Sequence, residues 1–198
     1  MSDAPIRNTF VYLVGFAGTG KLTIARALVR EVDAIIVDNH WINNPIFGLI
    51  DPDGKTPLPE SVWTQVWRVH EAVMETIATL AKPGRNFVFT HDGVEGEPYD
   101  RDKFVAIRSA AERRQARLIL VRLLCEEGEL VRRIQSPGRA AMLKSIDATH
   151  AMGRAMRDTV LYPQGTETLT IDVTHLSPEK SAAAIMAHIL LGGGDAGT

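Results

Sequence analysis

The feature that most constrains this chain is Gly15-Phe16-Ala17-Gly18-Thr19-Gly20-Lys21, set between an apolar run and an amphipathic one. The run Thr9-Phe10-Val11-Tyr12-Leu13-Val14 before it reads as a buried strand. The run Leu22-Thr23-Ile24-Ala25-Arg26-Ala27-Leu28-Val29 after it reads as a helix. A strand, a glycine turn and a helix in that order form a cradle for phosphate. Glycines let backbone N–H groups converge on an anion, and the helix start adds about half a positive charge. Lys21 adds a whole one. A lysine in the first turn opposes the helix dipole, and no acidic residue follows it before Glu31. Folding alone favours the reverse arrangement, so a bound anion is the expected compensation.

The order of the glycines separates two kinds of phosphate loop. Gly15-x-x-Gly18-x-Gly20 is not the G-x-G-x-x-G of dinucleotide-binding turns, whereas Gly15-x-x-x-x-Gly20-Lys21 matches the P-loop through its lysine. A P-loop usually continues with Ser or Thr, whose hydroxyl meets Mg²⁺. Here Leu22 stands in that place and Thr23 follows. The spelling Gly-Lys-Leu-Thr resembles the Gly-Lys-Gly-Thr of adenylate kinases. That resemblance implies that Gly15, Phe16, Ala17, Gly18, Thr19, Gly20, Lys21, Leu22 and Thr23 still bind nucleotide. The direct hydroxyl ligand is displaced, which leaves Thr23 to serve the metal through water.

Bulk properties narrow the partners. The 198 residues suit a single domain, 1–198, with a sizeable core. A net charge of −2 gives no bulk attraction to nucleic acid or to an anionic membrane. The lone Cys125 allows no intramolecular disulfide and suits a reducing cytosol. The six histidines are scattered, so no structural zinc is expected. Without a run of about 18 apolar residues or a signal peptide, a cytoplasmic monomer or homodimer is expected.

Further short apolar runs at 34–37, 87–90, 118–124 and 169–173 alternate with helical stretches, some lacking polar alternation as in strands buried on both faces. The expected fold is α/β, a three-layer αβα sandwich around a five-stranded parallel sheet. Residues 41–60, rich in proline yet also apolar, are too long for a plain connector and read as a substrate-side flap or a surface excursion. A helix from Ser61 carries the stripe Trp63, Val66, Trp67, His70, Val73, Met74, Ile77 and Leu80, which makes His70 a hydrogen-bonded core residue and leaves Arg68 to solvent. Asp100 reads as a cap for the next helix, which turns Phe104, Ile107 and Ala111 inward and Arg108, Glu112, Arg113 and Arg114 to water. A break at Gln135-Ser136-Pro137-Gly138-Arg139 opens a lid at about 134–146, and another helix is expected at about 147–158. Ser177-Pro178-Glu179 starts the last helix.

In parallel sheets ligands bind beyond the carboxyl ends of the strands. Two carboxylates stand there, Asp38 after the second strand and Asp92 after the third. Phosphoryl transfer needs a cradle, charge neutralisation, an in-line nucleophile and exclusion of water. Asp38 leads into the flap and is assigned to the acceptor hydroxyl, with a turn cap as its other reading. Asp92 is assigned to magnesium, with an Asp-Gly turn as its other reading. His40 and His91 compete as bases. Arg133 and Arg139 flank the Pro-Gly break, as guanidinium groups that close over a triphosphate would, or form a solvated basic face; Arg132 is the weaker candidate.

With these residues in place the chain resembles the P-loop small-molecule kinases, among them the shikimate, gluconate and adenylate kinases and the chloramphenicol phosphotransferases. The resemblance rests on the loop 15–23, Asp38 in Ile-Ile-Val-Asp, Asp92-Gly93, the run from Leu124 to Ile134, and Leu-Thr-Ile-Asp-Val-Thr-His-Leu-Ser-Pro-Glu. It implies strand order 2-3-1-4-5, an aspartate base at Asp38, a lid arginine near the adenine at Arg133 and another on the phosphates at Arg139. It also implies ATP and Mg²⁺, and a small hydroxyl-bearing acceptor. The single aspartate and the flap look most similar to the chloramphenicol phosphotransferases. Strand two lacks the Asp-x-Asp of shikimate kinases, no Gly-Gly-Gly follows strand three, and Asp-Gly lacks the Phe-Pro-Arg of adenylate kinases. Leu22 motivates a second reading, a nucleotide-binding regulatory or interaction protein with slow or no turnover.

Overall fold

A computed structural model describes residues 6–53, 56–135, 153 and 156–192. The strands are β1 (Thr9–Val14), β2 (Ala34–Asp38), β3 (Asn86–His91), β4 (Arg117–Leu124) and β5 (Glu167–Asp172). Around them run α1 (Lys21–Glu31), α2 (Asn39–Ile50), α3 (Glu60–Thr79), α4 (Pro98–Arg113), α5 (Glu127–Ile134) and α6 (Pro178–Leu191). The sheet is parallel in the order β2-β3-β1-β4-β5. This is the expected sheet.

The pleat of β1 explains the layering. Alternate side chains point to opposite faces, so Phe10, Tyr12 and Val14 join one apolar cluster with Phe89, Val66, Met74 and Phe104. Val11 and Leu13 join the other, with Ile24, Leu28, Ile185 and Ile189. Helices α2, α3 and α4 thus cover one face, while α1 and α6 cover the other. All residues of β1 and β3 are buried. Strand β2 is not: it is an edge strand, and Ile35 keeps 44% of its surface exposed, because one flank has no neighbouring strand.

Four sequence expectations change. The proline-rich stretch read as a long loop is helical in its first part, since α2 runs through Pro45 to Ile50. Pro45 is the seventh of the twelve residues of α2, where proline removes the helical hydrogen bond to the Trp41 carbonyl oxygen. Leu80 lies beyond the end of α3 and is 78% exposed. Asp100 does not cap α4, whose N-cap is Glu97 with Pro98 at the first helical position; its carboxylate turns inward instead. Arg114 does not simply face water. Its guanidinium donates to the carbonyl oxygens of Ile77, Ala81 and Lys82 and lies over the Phe87 ring, which ties α4 to the end of α3. Ser177 does cap α6, accepting from Lys180 N at 3.2 Å. Arg139, most of the lid and most of the helix expected at 147–158 lie outside the described residues.

Candidate active site

The loop after β1 is shaped by two left-handed glycines, Gly18 at φ 94° and Gly20 at φ 85°. Side chains rarely adopt that conformation. A Cβ at Gly18 would also stand 3.0 Å from the Leu130 carbonyl oxygen, and one at Gly15 would stand 2.6 Å from that of Leu123. The chain therefore packs β4 and α5 directly against loop backbone. Gly20 is the N-cap of α1 and offers no side-chain oxygen to its first turn, which holds no acidic residue either. The result is a helix start whose N–H groups and partial positive charge suit an anion. Lys21 curls back over this cradle, its ammonium donating to the carbonyl oxygens of Gly15 at 2.6 Å and Phe16 at 2.9 Å. Thr19 is buried and donates to the Phe16 carbonyl oxygen, while Thr23 is exposed on the first turn of α1.

Strand pairing brings the carboxylates to this edge. Val14 pairs with His91 and Asp38 with Thr90, and Gly15 N donates to the His91 carbonyl oxygen at 3.3 Å. Gly15, Asp92 and Asp38 therefore leave β1, β3 and β2 side by side. Asp38 is the N-cap of α2: its Oδ2 accepts from His40 N at 3.3 Å, and its Oδ1 accepts from the Thr90 hydroxyl. The His40 imidazole stands 3.5 Å from the same carboxylate. A strand-end carboxylate and a helix cap are thus one group.

His91 does not compete as a base. Its Nδ1 meets the Tyr12 hydroxyl at 2.6 Å and its Nε2 meets Asp100 Oδ1 at 3.1 Å, so both ring nitrogens are engaged in a buried chain. Burial and Lys103 hold its pKa below the usual value despite Asp100 and Asp92. Burial pushes the Tyr12 hydroxyl well above its usual pKa, with Asp100 adding to the rise. Burial would raise the Asp100 carboxyl, but the hydrogen bond and charge of His91, the Val94 N–H and Lys103 together hold it low.

Beside Asp38 lies a narrow gap between the sheet and α2, α3 and α4, lined by Asn39, Ile42, His70, Phe89, Thr90 and Lys103 among others. Two of its polar residues, Lys103 and Thr90, were not singled out from the sequence. Lys103 is 3% exposed and donates to Asn39 Oδ1 at 2.8 Å, with its ammonium 4.8 Å from the centre of the Tyr99 ring. Burial pushes its pKa down to about 8, against the pull of Asp100 and Asp92. Thr90 is buried and bonded to Asp38. His70 is buried as expected, stacked 5.2 Å from Trp67, but its Nδ1 has no hydrogen-bond partner among the described residues. Burial, with Lys103 and His91, lowers its pKa to about 3, so it is neutral. The readable signal for Lys103 was its place at helical spacing among Asp100, Phe104, Ile107 and Ala111 on the buried side of α4.

On the other side of the loop, Arg133 lies 4.0 Å from where a Cβ of Gly20 would stand. It pairs with Glu129 at 2.6 Å and donates to the carbonyl oxygens of Val173 and Thr174, so it joins α5 to the end of β5. Arg132 is exposed and pairs with Glu129 as well. These two arginines, by hydrogen bonding, hold the Glu129 carboxyl at about 2. Among the described residues no three His, Cys, Asp or Glu side chains gather as a metal cage. A magnesium ion held chiefly by phosphate needs only one or two carboxylates. Asp92 beside the loop and the Thr23 hydroxyl fit that demand.

No family model matches the chain, and no curated protein matches it in sequence. Solved structures do match. A gluconokinase from Sinorhizobium meliloti superposes with a TM-score of 0.61 at 17% identity, covering 96% of this chain and 99% of its own. A putative kinase from Chloroflexus aurantiacus gives 0.60 at 16%, covering 94% and 99%. The shikimate kinase of Acinetobacter baumannii, solved with shikimate, gives 0.52 at 16%, covering 93% and 94%. The chain has the fold of the P-loop small-molecule kinases. No helix among the described residues is long and apolar enough to cross a membrane.

Proposed function

We propose that this protein transfers the γ-phosphate of ATP to a hydroxyl of a small molecule. The observation that carries the reading is the alignment of the anion cradle, Asp92 and Asp38 on three adjacent strands. The nucleotide's phosphates take the 15–23 loop and Lys21, and Arg133 serves the nucleotide beside Gly20. Asp92 and Thr23, through water, would hold Mg²⁺, which would offset phosphate charge when bound. The acceptor's hydroxyl faces Asp38, which takes its proton as the acceptor oxygen bonds to the γ-phosphorus. The bond from that phosphorus to the β-phosphate oxygen breaks, and ADP leaves. Arg139, which the resemblance assigns to the phosphates, supports the charge that develops there. Thr90 orients the Asp38 carboxylate.

Asp38→Asn tests this assignment. A lost general base lowers turnover on the order of 10²–10⁴-fold. ATP affinity, measured by calorimetry, should stay unchanged because Asp38 contacts the acceptor rather than the nucleotide. Full turnover in this variant would remove Asp38 from the mechanism.

A further inference from the structure

We propose that Lys103 is a positioning residue for Asp38: through Asn39 and Thr90 it fixes which carboxylate oxygen meets the acceptor. The catalytic consequence rests on the kinase reading above; the geometry does not. Lys103 sits on α4, 3% exposed, and its ammonium donates to Asn39 Oδ1 at 2.8 Å. The Tyr99 ring centre lies 4.8 Å from the ammonium, and Asp100 and Asp92 offset its charge. The cation is thus held in place by the protein itself, and what it grips in turn is the first residue of α2.

Asn39 has a second task. Its backbone N–H donates to Thr90 Oγ1 at 3.2 Å. A hydroxyl has one hydrogen to give, and that of Thr90 goes to Asp38 Oδ1. Thr90 is 4% exposed and faces Asp38 across the β2–β3 pairing, so its hydroxyl does not turn out to water. Oδ1 is thereby committed. Oδ2 lies toward α2, where it accepts from His40 N at 3.3 Å. The two oxygens therefore differ: Oδ1 is held, and Oδ2 takes the acceptor's proton. The start of α2 needs such a grip. The first N–H groups of a helix have no acceptor within it, and Pro45 removes a bond that would otherwise steady the first turn. Lys103 grips the side chain of Asn39, while Thr90 and Asp38 take the N–H groups of Asn39 and His40.

The test is amide hydrogen exchange on the full chain, read residue by residue by NMR. Protection of the Asn39 and His40 N–H groups reports Thr90 and Asp38, since neither has an acceptor within α2. Lys103→Met should speed exchange at both by about tenfold or more, while Phe47 and Gly48 later in α2 stay within about twofold. Asn39→Ala breaks the same tie from its half-buried end and should speed His40 alike, which keeps the test open if Lys103→Met does not fold. Adding Lys103→Met to Asn39→Ala should change His40 no further, a non-additivity that a lysine serving only to pack α4 does not show. Transfer of label from γ-labelled ATP into the product that the wild type makes in a metabolite extract should slow about 10–100-fold in either variant. Affinity for a non-hydrolysable ATP analogue should not move. Protection unchanged at Asn39 and His40, losses confined to α4, additive effects, or transfer at wild-type speed once protection is lost overturns the proposal. Lost protection in the variants, with no product labelled by the wild type, upholds the grip on Asp38 and sinks the kinase reading. Transfer by the wild type, with protection unmoved in the variants, does the reverse.

Discussion

Asp38 joins two tasks that substitution can separate. Asparagine is as good an N-cap as aspartate, so Asp38→Asn keeps the start of α2 and removes only the proton acceptor. Asp38→Ala removes both, and urea unfolding should show it about 1 kcal/mol less stable than the asparagine variant. Equal stability would mean that the bond from His40 N contributes nothing to α2. At this scale the sequence was legible where chemistry and chain position coincide. Lys21 was visible because a cation in a first helical turn has no folding rationale, and Asp38 because an apolar strand ends on it. Lys103 was hidden for the opposite reason. A lysine within a helix reads as solvent-facing until the packing of α4 shows that it points inward between Asp100 and Phe104. His91 was misjudged because sequence cannot show that Tyr12, 79 positions away, takes one of its ring nitrogens.

The elements around the site are held by the chain Tyr12–His91–Asp100–Val94. It links β1, the end of β3, the following turn and the first turn of α4 through buried hydrogen bonds. Asp100→Asn leaves one of these groups poorly matched, which costs about 1–3 kcal/mol. Hydrogen exchange should then rise first at 94–104, where α4 begins, while β1 and β4 stay protected. Uniform loss of protection would show that the chain does not act locally. The strands were readable as apolar runs and came within two residues of their observed bounds. The stretch after β2 was not, because prolines and glycines obscured a helix that Asp38 starts and that Ile42 and Phe47 bury against α3. The residues of β2 do not themselves mark it as an edge; that came only with the strand order the resemblance implied.

For the whole molecule, buried histidines contribute to the acid limb of stability. His70 has its pKa lowered to about 3 in the folded state, below its ordinary 6.5, so the unfolded chain binds more protons between these values. Its contribution is complete above pH 6.5 and is lost as pH falls toward 3, at a slope of up to about 1.4 kcal/mol per pH unit. His91, also lowered, acts in the same direction. His70→Gln cannot take up that proton, so its urea-unfolding free energy should fall less steeply between pH 6 and 4 than that of the wild type. An unchanged slope would place the titration elsewhere. The central claim concerns phosphate and is tested by following label from γ-labelled ATP with Mg²⁺ into a fractionated extract of small metabolites. The account predicts a new labelled compound made by the wild type and absent with Lys21→Ala. Label that stays in ATP or appears only as free phosphate, with nucleotide binding intact, would contradict it and favour a nucleotide-binding regulatory protein.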